Sequence, residues 1–180
     1  MTFEYNRIIQ NLNHNKEYRP VVVTLLHKKE HDRIYFLVVQ SAKALVNDGR
    51  EEWLFPQEGT EENETLEATI ARGLHEELGI QPSEYHIHNP PDPIFLYKIR
   101  DAPTQRADKR GFTKGKAYFH VITHYEGSEI FTPDPKEIAN AVWFTPSELT
   151  TKFAQGRKEK AELLNEALCA ALAQLSPARY

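Results

Sequence analysis

The sequence predicts a mixed α/β fold in a single domain, residues 1–180, and three observations carry that prediction. Four short runs, 21–26, 34–39, 117–123 and 138–144, are rich in β-branched and apolar residues and read as strands. Two other stretches repeat apolar residues at helical spacing: Leu66, Ile70, Leu74 and Leu78, then Leu164, Leu168, Leu172 and Leu175. The length, 180 residues, suits one domain with a sizeable core.

In chain order, residues 1–20 are polar, with Phe3, Ile8, Ile9 and Leu12 spaced for a short helix or an arm against the core. Strands 21–26 and 34–39 make a hairpin whose polar turn is 27–33. Residues 41–52 read as a loop with a turn at Asn47-Asp48-Gly49. Trp53, Leu54 and Phe55 form a short strand, followed by Pro56 and an acidic loop. The helix after it has Thr65 as N-cap, Glu67 in its first turn and Gly79 at its end.

Strands 85–88 and 94–99 follow, separated by the breaker Asn89-Pro90-Pro91-Asp92-Pro93. Residues 100–116 carry Arg100, Arg106, Lys109, Arg110, Lys114 and Lys116 against Asp101 and Asp108, a local cationic loop. Residues 131–136 form a turn-rich loop, and Thr145-Pro146-Ser147-Glu148 is a capping box with Pro at the first helical position. The C-terminal helix is 158–175, with Pro177 beyond it; Cys169, near its apolar face, reads as a packed thiol.

Composition is that of a soluble globular protein, 40% hydrophobic and 27% charged. A net charge of −4 supplies no global basic field for non-specific nucleic-acid binding. One cysteine excludes an internal disulfide framework, and no leader or long apolar span is present, so a cytoplasmic protein with no membrane association is expected. The sequence does not give the oligomeric state.

The chemistry gathers in residues 53–80. At about 100° per residue, Glu77 falls roughly 20° from Leu66, inside the apolar stripe, and Glu76 falls on its flank. A carboxylate directed at a core needs a cation. Either a base such as Arg72 pairs with it, or it holds a metal. Glu58, Glu61, Glu62, Glu64, Glu76 and Glu77 lie on one strand–loop–helix unit with few cations among them, a density of hard oxygen donors that suits Mg²⁺ or Mn²⁺.

This unit resembles the Nudix box, GX5EX7REUXEEXGU, in which U is a bulky aliphatic residue. Glu64, Arg72, Leu74, Glu76, Glu77, Gly79 and Ile80 fall at the family spacing. Phe55-Pro56-Gln57 before the box and Tyr18-Arg19-Pro20 at the first strand are similar to segments of the RNA pyrophosphohydrolase and dinucleoside polyphosphate hydrolase branch. Two positions depart: Glu58 stands at the opening Gly, with Gly59 after it, and Gly73 stands at the first Glu of REUXEE.

The resemblance implies a Nudix-type α/β/α sandwich with a mixed β-sheet. It implies hydrolysis of a phosphoanhydride bond in a nucleoside diphosphate linked to another moiety, with dinucleoside polyphosphates or RNA 5′-triphosphate ends as substrates. Glu76 and Glu77 would then be metal ligands, and Glu64 and Arg72 an ion pair bracing the loop. Glu137, before Ile138 and Trp143-Phe144, would be a further ligand or base. Glu58 is a candidate replacement for the ligand absent at Gly73.

Arg19, Lys109, Arg110, Lys114 and Lys116 are candidate phosphate contacts, and Phe112 a candidate platform for a base. Because Gly73 removes a family carboxylate, the rival reading is a Nudix-like domain that binds or senses a nucleotide without cleaving it. A third is a structural domain using the fold for protein contacts. His86 with His88, and His120 with His124, each share a strand face; half-buried strand histidines are expected there in preference to a zinc site, and His75 is expected to be exposed.

Overall fold

The computed structural model describes residues 2–88, 95–101, 109–128 and 130–176. Its axis is β1 (Tyr18–Glu30), a long strand because its apolar residues serve both faces of the sheet. β1 runs parallel to β7 (Gly115–Tyr125), in register from Tyr18 opposite Gly115 to His27 opposite His124. Its other edge pairs antiparallel with β4 (Gln57–Gly59) at one end and with β2 (Arg33–Ser41) at the other. β2 also pairs with β3 (Trp53–Leu54) and β8 (Ile138–Phe144), while β7 also pairs with β5 (Tyr85–Ile87) and β6 (Phe95–Asp101). The sheet is therefore mixed, with eight strands among the described residues.

Alternation along the strands divides the core in two. Val22 and Leu26 of β1 face one side with Leu37, Val39, Phe119 and Val121. They pack on Ile9 of α1 (Thr2–Asn15) and on Leu66, Ile70, Leu74 and Leu78 of α3 (Leu66–Leu78). Val21, Val23 and Leu25 face the other side with Phe36, Val38 and Ile122. There they meet Leu149 and Phe153 of α4 (Pro146–Ala154) and the Leu164, Ala167, Leu168 and Ala171 stripe of α5 (Lys158–Leu175). This is the α/β/α sandwich the sequence leads one to expect.

The caps of α3 follow the sequence: Thr65 accepts from the Ala68 amide, and Gly79 ends the helix at φ 74°. Both bonds of the Thr145/Glu148 capping box are formed.

Three expectations change. The hairpin turn is His31 and Asp32 alone, at φ 46° and 62°, because pairing with β7 holds residues through His27 in the strand. Residues 41–52 contain a helix, α2 (Ala42–Asp48), started by Ser41 and stopped by Gly49 at φ 62°; the Asn-Asp-Gly signal marks a helix end. Cys169 is exposed, since the α5 stripe runs through Ala167, Leu168 and Ala171 and turns position 169 to solvent. The breaker at residues 89–93, together with Ile94, Arg106, Asp108 and Pro177, lies outside the described residues. Among the described residues no helix is long and apolar enough to cross a membrane.

Candidate active site

β4 delivers Glu58 opposite Val22 of β1, and the acidic loop then leads into α3. Arg72, two turns along α3, ties these pieces together. Its Nε donates to Glu64 Oε1 at 2.9 Å and its Nη2 to Glu64 Oε2 at 2.9 Å, a bidentate pair. The same Nη2 donates to the Gly59 carbonyl at 2.9 Å. Nη1 lies 3.5 Å from both Glu58 Oε2 and Glu76 Oε2. Glu64 also accepts from the Glu61 amide at 2.9 Å and from Thr69 Oγ1 at 2.8 Å. Burial alone would raise the Glu64 carboxyl; the Arg72, Glu61 and Thr69 donors outweigh it and hold the group below the usual carboxylate range.

α1 pins the same loop from outside. Asn13 donates to Thr60 Oγ1 and to the Glu61 carbonyl, each at 3.1 Å, and Asn6 accepts from the Leu66 amide at 2.8 Å.

Gly73 is where α3 touches β4. A Cβ at Gly73 would lie 2.7 Å from Glu58 Cβ and 3.2 Å from Glu58 Cγ. The side chain of Glu58 therefore occupies the space that a side chain at 73 would need. Glu58 Oε1 accepts from the Gly59 amide at 2.7 Å, and the side chain keeps about a fifth of its surface exposed.

Glu58, Glu76 and Glu77 open into one cavity of about 810 Å³. Asp134 and Glu137 add further carboxylates to its wall, and Arg19, Lys43, Lys109, Arg110 and Lys116 supply cations. The carboxylate of Glu77 joins no ion pair among the described residues, so the pairing with Arg72 is not formed; Arg72 is committed to Glu64. Burial, reinforced by Glu58, Glu137 and Glu76, pushes the Glu77 carboxyl up to about 8. Lys43 Nζ holds Glu137 at 2.5 and 2.6 Å.

The family model of the NUDIX domain matches residues 17–167. The chain belongs to the Nudix family. Short segments are similar to the RNA pyrophosphohydrolases of Pseudoalteromonas translucida (strain TAC 125), 46% identical over 39 residues, and of Haemophilus influenzae (strain PittEE), 44% over 39 residues. These matches span 22% of this chain and only 23% and 20% of those relatives. Among solved structures, one with a similar fold is the C. elegans Ap4A hydrolase binary complex: TM-score 0.60, 17% identity, 87% of this chain and 98% of that one. The NUDIX domain of Shewanella oneidensis NrtR complexed with ADP ribose gives TM-score 0.54 at 16% identity, covering 88% of this chain and 89% of that one. At such identities the likeness is one of fold.

Within this Nudix fold the residues singled out in the sequence divide clearly. Arg19, Glu58, Gly59, Glu76, Glu77, Lys109, Arg110, Lys116 and Glu137 line the cavity, with the Arg19 guanidinium lying against Gly59. Gly79, Glu64 and Arg72 are not among the residues that line it. Phe112 is buried with Lys16 Nζ 4.9 Å over its ring, so it offers no open face for a base. Lys114 turns away to pair with Glu17 at 2.7 Å and is not part of the lining.

Lys43 and Asp134 line the cavity without having been singled out, and Gln57, marked in the sequence only as part of the Phe55-Pro56-Gln57 segment, lines it too. Lys43 was hidden by the reading of 41–52 as loop. Among the described residues no three His, Cys, Asp or Glu side chains are already gathered around a metal position. Arg72 instead lies between Glu58 and Glu76.

Proposed function

We propose that this Nudix protein hydrolyses a phosphoanhydride bond in a nucleoside diphosphate linked to another moiety, with Mg²⁺ or Mn²⁺ as cofactor. Dinucleoside polyphosphates and RNA 5′-triphosphate ends are the first substrates to test, in line with the relatives and fold neighbours above. The observation that carries this reading is Glu77: a half-buried carboxylate without a counter-ion, beside Glu58 and Glu76, in an open cavity. Such a group is costly in an inert domain and useful in one that takes up a cation.

The donor set fits the ion. Hard carboxylate oxygens match Mg²⁺ and Mn²⁺, and the exposed Glu76 has freedom to turn. Glu58, Glu76 and Glu77 would hold the metal. A bound divalent ion neutralises charge on phosphate oxygens and lowers the pKa of a water. Arg19, Lys109, Arg110 and Lys116 would grip the phosphate chain. Glu137 would accept the proton of the attacking water once a substrate phosphate draws Lys43 away from it. Glu64 and Arg72 would take no part in the chemistry and would keep the loop against the helix.

In this reading the two departures from the Nudix box form one change: the carboxylate lost at 73 is carried by Glu58. The contact between Gly73 and the Glu58 Cβ supports it. The rival, a domain that binds nucleotide without cleaving it, takes its support from Gly73 alone.

The two separate in one experiment. Diadenosine polyphosphates, 5′-triphosphorylated RNA, nucleotide sugars, ADP-ribose and nucleoside triphosphates are incubated with Mg²⁺ or Mn²⁺, with Glu77→Gln as control. Turnover lost in the variant supports the hydrolase. Metal-dependent thermal stabilisation by one of these ligands without product supports the sensor.

A further inference from the structure

The far end of β1 holds a second cluster of metal-ligand side chains. His27 is eight residues along the strand from Arg19, roughly 26 Å at the strand rise. The register lines up three imidazoles across three strands: His27 of β1 is opposite His124 of β7, and His124 is opposite His86 of β5. His88 shares the strand face of His86. Ring centroids are 5.0 Å apart for His27 and His124, 5.0 Å for His86 and His124, and 6.3 Å for His27 and His88. Glu126 closes the row, its Oε1 3.8 Å from both His86 Nδ1 and His124 Nε2.

The contacts of His27 favour one tautomer of this row. The buried His27 has its Nδ1 3.1 Å from the Thr123 carbonyl, so Nδ1 carries the proton and Nε2 is a bare lone pair. That lone pair faces His124 Nδ1 at 3.4 Å, which makes His124 Nδ1 the donor. His124 Nε2 is then bare as well, and it points at a carboxylate oxygen that His86 Nδ1 also approaches. His124 Nε2 and His86 Nδ1 thus lie 3.8 Å from the same Glu126 oxygen, close enough to converge on one cation after small side-chain rotations.

We propose that His86, His124 and Glu126, with His88 beside them, bind one divalent transition-metal ion of the zinc class, separate from the carboxylate cavity. Imidazole nitrogen with one carboxylate is a donor set that Zn²⁺ favours over Mg²⁺. His27 acts as a positioning residue: it holds His124 Nδ1, fixing the tautomer that presents Nε2 outward. No three donors are gathered at ligand distance among the described residues, so His86 and Glu126 must turn on binding. Both are exposed and free to do so, with side chains 57% and 64% accessible. Lys29 is the neighbouring cation whose field opposes binding.

The test is calorimetric titration of tag-free protein with Zn²⁺ and with Ni²⁺, in saturating Mg²⁺. One equivalent should bind to the unaltered protein and to Glu77→Gln alike. His86→Ala and Glu126→Gln, exposed positions whose metal-free melting should not change, should each weaken it about tenfold or more. Side-chain nitrogen NMR should place the largest zinc-induced shift on His124 Nε2. Absence of stoichiometric binding, affinity in both variants equal to that of the unaltered protein, or loss of binding in Glu77→Gln alone would each overturn the assignment. None of these outcomes depends on whether the protein hydrolyses anything.

Discussion

Gly73→Ala should destabilise this protein, although alanine is the better helix former. In an open helix the substitution gains about 1 kcal/mol. Here the new Cβ would sit 2.7 Å from Glu58 Cβ, an atom fixed by the β4 backbone and unable to swing aside. Overpacking of that kind costs about 1–3 kcal/mol, so the net expectation is a loss of about 1 kcal/mol. Removing Glu58 down to glycine should reverse the sign: Gly73→Ala in a Glu58→Gly background should gain about 1 kcal/mol. Glu58→Ala keeps the colliding Cβ and should not rescue. Urea denaturation of the variants reads the coupling directly, about 2 kcal/mol between positions 58 and 73. Stabilisation by Gly73→Ala in the unaltered protein, or an equal effect in all three backgrounds, would refute the idea that the two positions compete for one space.

Three further outcomes follow from the site. Glu77→Gln should stabilise the metal-free protein at neutral pH. With its carboxyl raised to about 8, the folded state keeps a proton that the unfolded chain releases near the usual carboxylate range, so stability falls as pH rises through that interval. At face value this is about 5 kcal/mol; the open cavity screens it, and about 1–3 kcal/mol is expected in urea melts with chelator from pH 5 to 9. His27, lowered to about 4 mainly by burial, acts in the opposite sense below about pH 6.5, so the difference between variant and parent is the readout. Arg72→Lys cannot reproduce the fork to Glu64 and the Gly59 carbonyl, and should cost about 1–3 kcal/mol by the same melts. Lys43→Ala should change stability by less than about 0.5 kcal/mol because its pair with Glu137 is exposed; steady-state kinetics on an active substrate should show a several-fold higher KM.

The strands and the α3 and α5 helices were legible because their signals are local: alternation, helical spacing, Thr65, Gly79 and the Thr145 box. The Glu64–Arg72 brace was legible only through the resemblance to the Nudix box; the residues alone pointed Arg72 toward Glu77. What escaped depended on partners distant in the chain. His27 looked like turn because its strand is set by β7, almost a hundred residues away. Lys43 became visible only when α2 put it across from Glu137. Phe112 and Lys114 belonged by composition to a cationic loop, but Lys16 and Glu17 claim them. The reason for Gly73 is steric and lies on another element; no pattern within the helix contains it.

The central claim is that Glu58 joins Glu76 and Glu77 around a divalent ion in place of a carboxylate at 73. Anomalous diffraction from crystals grown with Mn²⁺ and a non-hydrolysable dinucleoside polyphosphate tests it most directly. The account predicts a manganese peak within about 2 Å of carboxylate oxygens from all three residues. A manganese ion bound without Glu58, its side chain still turned to Arg72, would contradict it.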